Sequence, residues 1–82
     1  VTYYYENGKV QQEGFYKEGK LEGKWISYDE NGNKTAIAEY TDGNKTGKWF
    51  FWSDKNLSEV DYTQGAVAEV KVWNREALAG KN

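Results

Sequence analysis

The sequence repeats itself. Laid over itself at an offset of 24 residues, Tyr4, Glu6, Asn7, Gly8, Tyr16, Gly19, Gly23, Lys24 and Trp25 recur as Tyr28, Glu30, Asn31, Gly32, Tyr40, Gly43, Gly47, Lys48 and Trp49. In a chain of 82 residues, such a period leaves one economical solution. A single supersecondary unit is stacked on the next, and each buries against its neighbours what it cannot bury alone. A third, degraded copy begins at Trp52, with Asp54 in place of the glutamate and Asn56 in place of the turn glycine. It is two residues short, so Tyr62 and Gly65 follow Tyr40 and Gly43 by 22 positions, while Trp73 returns at 24 from Trp49. An atypical last unit suits an array end, which has no further neighbour and must tolerate water.

Inside each unit the residues spell a hairpin. Asn7-Gly8 and Asn31-Gly32 are strong two-residue hairpin signals, because both residue types accept positive φ cheaply. The second connection, Gly19 to Gly23 and its copy Gly43 to Gly47, brackets charged residues between glycines and reads as a wider turn. Strands are expected over residues 2–5, 10–16, 24–28, 34–40, 48–52, 57–62 and 68–73. Period-two geometry then places Ala36, Ala38 and Tyr40 on one face, with Thr35, Ile37 and Glu39 on the other. Gly14 and Tyr16 repeat the small-plus-aromatic pattern, so small residues lie where a neighbour's ring fits and a tyrosine ladder is expected. The fold class is all-β, an antiparallel array of hairpins over residues 1–73. Residues 74–82 form a C-terminal tail in which Arg75 to Ala79 could make one helical turn. The opening at Val1, without methionine and already in strand-like sequence, is expected of a piece of a longer protein.

The succession Tyr28-Asp-Glu-Asn-Gly32, Tyr40-Thr-Asp-Gly43 and Gly47-Lys-Trp49 resembles the MORN repeat in its bacterial MORN-2 variant, over about residues 3 to 73. The resemblance implies an elongated single-layer antiparallel sheet, one hairpin per repeat, with rings lining a shallow groove. It implies no catalytic chemistry and no cofactor. Relatives are scaffolds and interaction modules, some near membranes and some described as antitoxins. The resemblance also slightly favours the bacterial envelope or secretion over the cytoplasm.

The residue inventory points the same way. Eleven basic and thirteen acidic side chains give a net charge of -2, spread evenly, which makes neither a nucleic-acid footprint nor a polybasic membrane patch. Any membrane association is expected to be indirect, because the longest apolar run, Trp49 to Trp52, is far shorter than a span. Histidine and cysteine are absent, and with them the commonest general base, transition-metal ligand and nucleophile. Carboxylate-only catalysis would require two acids in a pocket, whereas Asp29, Glu30, Asp42, Asp54 and Asp61 fall in turns or beside solvent. The expectation is a non-enzyme.

Two motifs compete with structural readings. Asp29, Asn31 and Asn33 begin like a calcium loop, but the glycine at position six and the acid at position twelve are missing, and a hairpin turn explains the string. Asn33-Lys34-Thr35, Asn44-Lys45-Thr46 and Asn56-Leu57-Ser58 match the glycosylation acceptor, a pattern that a turn asparagine before a strand threonine generates by itself.

The candidate binding residues are aromatic: Trp25, Tyr28, Trp49, Phe50, Phe51 and Trp52. Rings at Trp25 and Trp49 are first of all ladder positions, since their spacing equals the repeat. The run Trp49-Phe50-Phe51-Trp52 instead puts large rings on both faces of one strand, and a one-layer sheet can bury only one face well. Either the C-terminal strands and tail fold back over it, or it is a contact surface for another protein, a further repeat or a sugar. The leading functional expectation is a protein-binding or scaffold module. The alternatives are an antitoxin that covers a toxin, and a carbohydrate or cell-surface binder. Unpaired sheet edges near Thr2 and Trp73 make self-association a further expectation.

Overall fold

The computed structural model describes residues 1–76. Eight strands form one open antiparallel sheet: β1 (Thr2–Tyr4), β2 (Val10–Lys17), β3 (Lys20–Tyr28), β4 (Lys34–Thr41), β5 (Asn44–Lys45), β6 (Gly47–Trp52), β7 (Asn56–Thr63) and β8 (Ala66–Asn74). Their spatial order is β1-β2-β3-β4-β6-β7-β8, with β5 paired to β4, so each strand lies beside its neighbour in sequence. The molecule measures 45 × 37 × 17 Å, and its thin dimension is one sheet with its side chains. Among the described residues no second layer closes over either face, and β1 and β8 are the outer strands of the sheet. Of the expected tail helix, Arg75 and Glu76 have helical backbone and the remainder lies outside the described residues.

Two kinds of turn alternate along the array. At Tyr5–Lys9, the Gly8 amide donates to the Tyr5 carbonyl at 3.0 Å and the Tyr5 amide to the Lys9 carbonyl at 2.8 Å. Asp29–Asn33 repeats this geometry, with Gly8 and Gly32 at φ of 88° and 93°. These are three-residue loops ending in an αL glycine. The expected wider turns are instead tight. Glu18-Gly19, Asp42-Gly43 and Gln64-Gly65 are two-residue loops with both residues at positive φ, the primed geometry that matches strand twist. The later glycines of those segments belong to the following strands, where the pairing register shifts after Gly23 and around Gly47. Asn56 likewise does not stand in for a turn glycine. It opens β7, and its amide donates to the Ser53 hydroxyl at 3.1 Å.

Successive units are tied turn to turn. The Tyr5 hydroxyl donates to the Tyr28 carbonyl at 2.6 Å, and the Asn7 side-chain amide to the Glu30 carbonyl at 3.1 Å. At the opposite end of the strands the Gly43 amide donates to the Leu21 carbonyl and the Gly65 amide to the Lys45 carbonyl. Neighbouring hairpins thus satisfy polar groups of one another, as nearest-neighbour stacking demands.

Candidate functional site

Strand pairing sorts the side chains onto two faces. Trp25 lies opposite Ala38, Ser27 opposite Ala36, Phe51 opposite Ala36, and Trp49 opposite Val60, so these residues share one face, the ladder face. The reverse face carries Ile26 opposite Ile37, Ile37 opposite Phe50, and Phe50 opposite Glu59.

The ladder face is organised by two tryptophans, the first of which lies back over a small residue on its hairpin partner strand. A Cβ on Gly14 would stand 2.0 Å from the Trp25 ring, so the indole occupies the space a side chain would need. The Trp25 Nε1–H donates to the Phe15 carbonyl at 3.1 Å, and one repeat later the Trp49 Nε1–H donates to the Glu39 carbonyl at 3.0 Å. Tyrosine edges close each indole: Tyr16 packs on Trp25 at 5.1 Å and 79°, Tyr40 on Trp49 at 5.2 Å and 67°. Tyr62 adds a third ring at 5.0 Å from Trp49, and the Lys45 ammonium caps both rings at 5.2 and 5.3 Å. The result is a core without a second layer. Among the described residues only Trp25 (4% exposed), Trp49 (7%) and Glu59 (8%) are buried.

Between these aromatic ridges runs a trough. Its floor is Ser27, Ala36 and Ala38, and Leu21, Phe51 and the tyrosine flanks line its sides. Phe51 packs on Trp49 at 6.2 Å yet remains 40% exposed. The trough exists because β4 places two alanines where its neighbours place rings. At its mouth a hydrogen bond with Tyr3 pushes the Tyr16 phenol above its ordinary value.

The six sequence-derived candidates therefore do not form one site. Trp25, Trp49 and Phe51 belong to the ladder face. Phe50 and Trp52 stack on each other on the reverse face at 6.2 Å and 30°. Tyr28 falls near Glu13 at the edge of that face, where burial and a hydrogen bond to Glu13 raise its phenol. The C-terminal strands do not fold back over the aromatic run but continue the sheet beside it, and the tail beyond residue 76 lies outside the described residues. Trp73 leaves the ladder altogether. It pairs with Leu57 on the reverse face, and the ladder position opposite Val60 is taken by Val70.

Reading residues alone missed the reverse-face ion cluster. There the Lys48 ammonium donates to Glu59 at 2.8 Å and lies 3.5 Å from Asp61. The Glu59 bond is the main reason Lys48 is held above its ordinary range, although burial pulls the other way. A period-two reading of Lys48, Glu59 and Asp61 could have placed them on one face, but their partnership needed the register. The calcium-like string is a turn cap: the Asn31 and Asn33 amides both donate to Asp29 Oδ1 at 2.9 Å, and the Asn33 side chain donates to Oδ2 at 3.2 Å. Those bonds, the Asn33 amide first, lower the Asp29 carboxyl.

The same indole-to-carbonyl bond recurs one repeat apart at Trp25 and Trp49, and a tyrosine edge closes each ring. The family model described as MORN repeat variant matches residues 1–18 and 21–42. The chain belongs to the MORN repeat variant family. The matched MORN segments hold the first ladder tryptophan, and β6 carries the same geometry one repeat further through Trp49. No curated protein and no solved structure matches the chain.

Proposed function

We propose that this MORN repeat module is a non-enzymatic protein-binding element whose ladder face receives an apolar segment of a partner. The observation that carries the reading is the trough. Small residues on β4 lie open between two aromatic ridges, and Phe51 stands beside them partly exposed. Open apolar surface next to rigid rings is where binding energy concentrates, because aromatic side chains lose little entropy when a partner packs on them. A sugar would need uncovered indole faces, and Trp25 and Trp49 offer almost none.

The two faces can be tested separately because neighbouring rings of β6 point apart. With the protein immobilised and its captured partner identified, Phe51→Ser is expected to abolish capture while Trp52→Ser preserves it, provided both variants keep the wild-type circular dichroism. Loss on Trp52→Ser with retention on Phe51→Ser would move the binding surface to the reverse face.

A further inference from the structure

We propose that β8 is a self-association edge, on which a second copy of this chain pairs antiparallel about a two-fold axis at Val70. Three observations converge on this strand. First, the two outer strands are unequal: β1 has three residues and β8 has nine. A long edge strand with no proline and, among the described residues, no strand on its outer side is a template for another strand. Second, β8 exposes an apolar row where the ladder face ends. Val67, Val70 and Val72 are 55%, 56% and 59% exposed, with no tryptophan laid over them. Third, among the described residues the charges of β8 find no uncommitted opposite charge on β7. Glu69 lies opposite Asp61, a like charge, and Lys71 lies opposite Glu59, whose carboxylate is already bonded to Lys48.

Charge decides the register. Opposed residues in a two-fold antiparallel pair must share a face, so the axis passes through a single residue. Centred on Glu69 or Lys71, the pairing sets two like charges against each other. Centred on Val70, the midpoint of the strand, it sets Glu69 against the second copy's Lys71 and Lys71 against its Glu69. Val70 then meets its own mate on the ladder face. The bulge at Ala68 confines regular pairing to this central stretch, so the association is expected to be reversible rather than obligate. A two-fold pair uses up both β8 edges and leaves only the three-residue β1 edges, too short for stable pairing, so growth is expected to stop at two copies.

Sedimentation equilibrium of the 82-residue chain is expected to fit a monomer–dimer equilibrium with no larger species. Glu69→Lys is expected to weaken the dimer roughly tenfold by opposing Lys71 in both pairs, and Glu69→Lys with Lys71→Glu to restore it. The chain lacks cysteine, so a single Val70→Cys thiol can report the axis directly. Mild oxidation should link Val70→Cys much faster than Tyr4→Cys on the β1 edge. A chain that stays monomeric at millimolar concentration, open-ended growth indicating β8-to-β1 pairing, equal linking of the two thiols, or a charge swap that fails to restore the dimer would each overturn the proposal.

Discussion

Gly14 shows how a sheet with no second layer finds a core. Its missing side chain is the space into which the Trp25 indole lies, and that overlap lets the indole nitrogen reach the Phe15 carbonyl. The burial of the ring therefore depends on an absence two strand positions from Tyr16, whose edge closes the other side. Adding a methyl group here forces the ring to swing outward, which sacrifices both its burial and its hydrogen bond. Gly14→Ala is expected to destabilise the fold by about 1–3 kcal/mol, the usual cost of overpacking a fitted site. A lower urea midpoint with a blue-to-red shift of the tryptophan emission would register it, and an unchanged midpoint would mean that Trp25 does not lie over Gly14. Small residues were legible in the sequence as places for a ring, from the period-two reading of Gly14, Ala36 and Ala38. Which ring fills which place was not, because an indole reaching back across a hairpin follows from register rather than spacing.

At the level of the element, the turns set that register and the sequence disclosed them unevenly. Asn7-Gly8 and Asn31-Gly32 announce themselves, since asparagine and glycine are the residue types an αL position selects. Glu18-Gly19 and Gln64-Gly65 do not, because glutamate and glutamine are poor signals for positive φ, yet here they occupy it at 52° and 51°. The wide turn read from Gly19 to Gly23 dissolves into a two-residue turn followed by a strand irregularity. The same kind of irregularity defeats counting at Trp73. The third unit is shorter in its Ser53–Asn56 turn and in its bulge at Ala68, so a residue one full period after Trp49 lands on the reverse face. The Asp29 turn makes a test at this scale. Its carboxyl is lowered from 3.8 by the Asn33 and Asn31 amides, so the folded state holds this proton less tightly than the unfolded chain. The contribution is complete above 3.8 and disappears as pH falls through the lowered folded value. Wild type is expected to be more stable than Asp29→Asn at neutral pH, with the gap in urea midpoints closing in strong acid. A gap independent of pH would show that the carboxylate charge does not hold the turn.

The whole molecule is a slab whose two faces have different occupations. On the reverse face Ile26, Ile37 and Phe50 lie half-buried in a row that continues into Glu59, and the Lys48 ammonium bridges that acid towards Asp61. On the ladder face Trp25 covers Gly14 and Trp49 donates to the Glu39 carbonyl of β4, and a trough remains over Ala36 and Ala38. This asymmetry was half legible in the sequence. The alternation in Lys34–Tyr40 gave the small-plus-aromatic face, but the run Trp49-Phe50-Phe51-Trp52 gave no hint of which of its rings would remain open, since exposure depends on what the neighbouring strands bring. The most direct test is a methyl and amide NMR titration of the chain with the partner it captures. The account predicts that Ser27, Ala36, Ala38 and Phe51 shift and broaden while Ile26, Ile37 and Phe50 stay in place. Perturbation centred on Ile26, Ile37 and Phe50, with the alanines of β4 unmoved, would contradict it.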